Sequence, residues 1–88
     1  QNYPNPFNPV TVIRYQLPVA SRVTLKVYSL LGGEVGTLVD AIEDAGYRSK
    51  EWNPALNPSG VYFYSLTATG IADPGYTFTQ VKKMAFIK

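Results

Sequence analysis

The sequence predicts an all-β sandwich of about seven antiparallel strands, and three observations predict it. Apolar residues recur with period two rather than with the 3.6-residue period of a helix. Glycine and proline clusters interrupt that alternation at roughly even intervals, as the turns of a sandwich require. A hydrophobic share of 45% of the chain, with aromatic residues at 14% of the chain, supplies one compact core for 88 residues. A chain of that length is one domain near the small end of what folds alone.

The elements follow in order. The opening NYPNPFNP holds Pro4, Pro6 and Pro9; each fixes φ and lacks an N–H, so residues 1–9 form an extended entry segment rather than a helix or central strand. Tyr3 and Phe7 are placed to tuck against the sandwich end. From Thr11 to Leu17, Ile13, Tyr15 and Leu17 share one face, and Pro18 ends the strand. From Val23, Leu25 and Val27 continue an inward row while Thr24, Lys26 and Tyr28 face out. Leu31-Gly32-Gly33 reads as a tight turn, because paired glycines accept positive φ, so residues 23–39 form a hairpin with EVGTLV. DAIEDAG (40–46) reads as a loop. YRSKEW (47–52) reads as a strand anchored by Trp52, and NPALNPSG (53–60) as a loop. VYFYSLTA (61–68), apolar or aromatic on both faces at its start, has the character of a central strand. TGIADPG is a turn region, and residues 76–88 run extended.

Composition excludes several functions. Cysteine and histidine are absent, which removes disulfides, thiol redox chemistry, Cys/His zinc sites and Ser–His or Cys–His nucleophile pairs. A net charge of +2 does not argue for nucleic acid. No apolar run approaches the ~20 residues of a transmembrane segment. The chain starts at Gln1 with no basic and then apolar leader, so the expectation is a piece of a longer polypeptide.

Catalysis is hard to assemble. The carboxylates are Glu34, Asp40, Glu43, Asp44, Glu51 and Asp73. Only Asp40, Glu43 and Asp44 cluster, on the expected loop, where neighbours point outward together instead of facing each other across a substrate. The spacing matches no EF-hand loop. Gly32-Gly33 lacks the helix and lysine of a phosphate loop. No cofactor and no metal site is expected. A carbohydrate surface is the alternative: Tyr28, Tyr62 and Tyr64 form a row if they share a sheet face, or core anchors if they do not. The charge is uneven, too. Residues 1–60 balance five cations against five carboxylates, whereas the tail after Gly75 holds Lys82, Lys83 and Lys88 with no acid. Lysines on a terminal strand guard an edge or present positive charge to a partner.

NYPNPFNPVT (2–11), Ile13, Tyr15, Leu17-Pro18, VTLKVYSLLGGEVGTLVD (23–40), Ala45-Gly46, Trp52-Asn53, SGVYFYSL (59–66) and VKKMAFIK (81–88) together resemble C-terminal sorting domains of the bacterial type IX secretion system, of type A. The flagellar hook-capping Ig-like domain is a structural relative of that family. The resemblance implies an Ig-like β-sandwich that carries an exported cargo from the periplasm through the outer-membrane translocon to the cell surface or medium. It implies a surface sortase that removes the domain, an upstream cargo domain, and no enzyme activity. It also implies that residues 1–9 join the cargo to a sorting domain spanning 10–88. The expected recognition residues are Gly60, Val61 and Tyr62, then Lys82, Lys83, Met84 and Lys88. The alternative function is a structural or carbohydrate-binding module appended to a secreted enzyme. One position departs from the family: Lys50 stands where an apolar residue is usual. Facing inward beside Trp52, its stem should line the core while its amine reaches solvent or pairs with Glu51 or Asp44.

Overall fold

The computed structural model describes residues 10–54 and 57–86, and within them lie six strands: β1 (Thr11–Leu17), β2 (Ser21–Ser29), β3 (Glu34–Glu43), β4 (Gly46–Trp52), β5 (Gly60–Gly70) and β6 (Thr77–Phe86). They form two antiparallel layers, a two-stranded sheet β1-β4 and a four-stranded sheet in the order β3-β2-β5-β6. The expected turn is there: Ser29 and Gly33 close it through backbone bonds, and Gly32 takes φ 92°. β5 is interior, as its two-faced composition predicts.

Alternation decides which side chains meet. On β2, Val23, Leu25 and Val27 are fully buried; on β5, Tyr62, Tyr64, Leu66 and Ala68 lie on the same side. Ile13, Tyr15 and Leu17 of β1 close the core from the opposite layer, with Trp52 of β4. Trp52 meets Tyr62 edge-on, ring centroids 5.0 Å apart and planes at 61°, so the one tryptophan joins the two sheets. At the core's margin the Tyr15 hydroxyl donates to Glu43 at 2.5 Å. Burial, then that bond to an anionic carboxylate, pushes the Tyr15 hydroxyl above the ordinary tyrosine range, because both disfavour phenolate. Buried Ser21 donates to the Val19 carbonyl at 2.8 Å, which satisfies its hydroxyl.

The segment 40–46 differs from its expectation as a loop. Asp40–Glu43 complete β3, pairing with Ser21–Thr24, and the chain reverses within Asp44 and Ala45 before Gly46, at φ 133°. The acidic cluster therefore disperses. Asp40 lies beside outward Thr24 and pairs with Arg22, whereas Glu43 lies beside buried Ser21 and accepts from Tyr15. A strand sends residues three apart to opposite faces, and a segment whose one large apolar residue, Ile42, stands exposed hid that strand. Among the described residues no group of three acidic side chains is arranged to hold a metal ion, and no helix is long and apolar enough to cross a membrane.

Lys50 stands opposite Ile13 and two residues before Trp52, hence on the core side of β4. It is nonetheless exposed, and among the described residues it joins no ion pair. Its side chain reaches solvent, and pairing with Glu51 or Asp44 does not occur among the described residues. The two-stranded layer is also narrower than the four-stranded one. On the core side of β6, Phe78 remains 39% exposed although Ala68, its partner on β5, is fully buried. The roles expected of residues 1–9, and the placement of Tyr3 and Phe7, lie outside the described residues.

Candidate functional site: the β5–β6 hairpin

The two stretches expected to carry recognition are far apart in sequence and adjacent in space. β5 and β6 pair in an unbroken register from Gly60↔Phe86 to Thr69↔Thr77. In that ladder Val61 stands opposite Ala85 and Tyr62 opposite Met84, while Lys83 faces Phe63 and Lys82 faces Tyr64. Six of the expected residues thus occupy one end of one hairpin; Lys88 lies outside the described residues.

Their environments divide them. Tyr62 is 4% exposed, touches Trp52 and donates its hydroxyl to the Pro58 carbonyl at 2.5 Å. Met84 is half-buried against the core. Gly60 has open space where a Cβ would stand, and Val61 is half-buried on the outward side. Only Lys82 and Lys83 are both charged and exposed. Because neighbours on a strand alternate, Lys82 projects on the core side, with Tyr64 and Met84, and Lys83 on the outer side. Across the sheet from Lys83, the row runs through Phe63 and Tyr28 to Glu34. Glu34 is already engaged by Lys26 at 3.4 Å. Among the described residues neither Lys82 nor Lys83 has an ion-pair partner. Among the described residues β6 ends the sheet, so both lysines sit on its border.

Phe86 was missed as part of this end. It is 5% exposed, opposite Gly60, and its signal was available: Lys82, Met84 and Phe86 share one face by simple alternation.

The alternative surface is less well formed. Tyr62 and Tyr64 turn into the core, whereas Tyr28 faces outward, so the three tyrosines make no row. Burial raises the Tyr64 hydroxyl above its ordinary range as well. Outside, a shallow hollow of about 290 Å³ is lined by Thr24, Lys26, Tyr28, Ser65 and Thr67. It offers one aromatic ring among hydroxyls.

The fold and this hairpin define an all-β domain whose charged candidate site is the border of a sheet. A family model, the secretion system C-terminal sorting domain, matches residues 1–72, and the chain belongs to that family, the C-terminal sorting domains of type IX secretion. Its members are sorting signals, exported with their cargo to the cell surface or medium. No curated protein and no solved structure matches the chain. The matched stretch holds all of β5 and ends before β6.

Proposed function

We propose that this chain is the signal by which the outer-membrane type IX translocon recognises an exported cargo, and that a surface sortase then removes it. Residues 1–9 join it to the cargo domain, and residues 10–88 are the sorting domain. The observation that carries the reading is the family match over residues 1–72. The pairing of Gly60–Tyr62 with Met84–Phe86 supports assigning recognition to this hairpin end. Within it the roles differ. Lys82, Lys83 and Lys88 supply charge to the partner, and Gly60 and Val61 of β5 pair with Phe86 and Ala85 behind that border. Tyr62 and Met84, turned toward the core, hold the strands in place. The domain is a substrate of the machinery and catalyses nothing itself, in keeping with a sequence that has neither histidine nor cysteine.

The test fuses the chain behind a periplasm-exported fluorescent reporter, in a type IX-competent bacterium and in a translocon-deficient strain. Export in the first strain alone supports the reading. A folded reporter retained in the periplasm of both strains overturns it and leaves polysaccharide binding at the Tyr28 hollow as the function to examine. Removal of residues 82–88 should abolish export. That deletion also strips Gly60–Tyr64 of their β6 partners, so its folded state is checked by circular dichroism.

A further inference from the structure

We propose that the free border of β6 is a docking edge, onto which an extended acidic segment of the type IX machinery adds as a further strand. The inference rests on the sorting reading and specifies its mode and its partner's chemistry.

A border strand turns the N–H and C=O of every second residue away from its neighbour, which makes it a template for another strand. Four strands border a sheet among the described residues, and they differ. β3 carries two register breaks against β2, and such irregularities blunt an edge. β1 and β4 are seven residues each, and β4 mixes Arg48 and Lys50 with Glu51. β6 has ten residues, TFTQVKKMAF, without glycine, proline or acid, and its register with β5 is unbroken. It is the long, regular edge, and its only charges have one sign. Those charges repel a second copy of the same edge and favour an acidic strand. Main-chain bonds would give such a strand affinity, and the lysines would select its side chains.

The facing of the lysines selects this mode over others. Lys82 and Lys83 project to opposite sides of the sheet. A partner lying on either face meets one lysine and is shielded from the other by the sheet. A strand added at the border lies beside both, with its own side chains alternating in step.

The test uses the reporter fusion with Lys82→Glu and Lys83→Glu singly and together, and with the Lys→Arg pair. Both lysines are exposed and, among the described residues, free of ion pairs, so all variants should melt close to the unmodified chain. The expected result is a comparable loss of secreted reporter for each single reversal, roughly two- to tenfold on the scale of one exposed charge pair inverted. The double reversal should lose more, and the arginine pair should keep export. Loss at one lysine only overturns edge docking in favour of a sheet face, and no loss at either overturns it outright. A concentration-dependent dimer in sedimentation of the purified domain, abolished by the double reversal, makes a second copy the occupant and also overturns it. Failure of the unmodified chain to be exported is a different result, because it removes the sorting reading on which the proposal stands.

Discussion

Tyr62 lets the sandwich's inter-sheet contact be weighed in parts. Tyr62→Phe keeps the ring against Trp52 and deletes only the hydroxyl that donates to Pro58. Pro58 is exposed, so water can replace the lost donor, and the cost should be about 0.5–1 kcal/mol. Tyr62→Leu also removes the edge-on ring contact, worth about 0.5–1.5 kcal/mol, and leaves a void where a side chain only 4% exposed had been, adding about 1–2 kcal/mol. The leucine variant should therefore lose about 2–4 kcal/mol. Against a total near 4–13 kcal/mol for a domain of this length, that is a large share. The assay is urea unfolding followed by emission of Trp52, the one tryptophan. With a slope near 1 kcal/mol per molar, the midpoint should fall by about 0.5–1 M for phenylalanine and 2–4 M for leucine. A cycle with Trp52→Leu, read by far-UV circular dichroism, should return a coupling near 1 kcal/mol. Equal losses for the two Tyr62 variants, or a coupling within error of zero, would refute the claim that the ring contact ties the sheets together.

The remaining predictions concern single positions. Gly70→Ala places a methyl 2.5 Å from the Asp73 carbonyl oxygen, and that loop is pinned by the Tyr76 N–H on the same oxygen. It should cost about 1–3 kcal/mol, visible as a drop of several degrees in Tm, whereas Gly60→Ala, with open space around it, should be neutral. Tyr15 is held protonated in the fold by burial and by Glu43. The native state therefore retains a proton that the unfolded chain releases near pH 10. Stability is fully present below that pH and falls as pH rises above it; guanidinium unfolding at pH 9 and 11 should show the fall, and Tyr15→Phe should lessen it. Because the Lys50 amine is already in solvent, Lys50→Val should change stability by under about 1 kcal/mol; a gain well above that in urea unfolding would mean the lysine had been strained or desolvated.

Much of this was legible because the core is built by alternation. Val23-Leu25-Val27 and Ile13-Tyr15-Leu17 announce both the strand and its buried face, and Gly32-Gly33 announces the turn. DAIEDAG was misread as a loop because only alternate residues of an outer strand need be apolar, and the partner that completes the pattern, Arg22 with Asp40, is distant in sequence. The hairpin end was legible as two motifs and not as one place. Nothing in SGVYFYSL or VKKMAFIK states that Tyr62 will face Met84; the register comes from the turn at residues 71–76 and from which side chains the core accepts. The same limit explains the tyrosines. Tyr28 and Tyr64 look alike in sequence, yet they stand on opposite faces.

The register of β6 also decides what a partner meets. A slip of one residue turns every side chain of a strand to the other face. Here it would carry Phe86 and Met84 into solvent and exchange the sides shown by Lys82 and Lys83. The buried Phe86, beside Tyr62 and opposite Gly60, is what makes that slip costly. Phe86→Ala should therefore weaken the register itself, at up to about 3–5 kcal/mol for a buried phenylalanine and less this close to a strand end. Hydrogen exchange reads it directly. Those amides between Val81 and Phe86 that bond to β5 should lose protection before those of β2, which is interior to the sheet. Uniform loss across both strands would mean that Phe86 supports global stability alone. Selective loss would show the charged border being aimed by the apolar residue beside it.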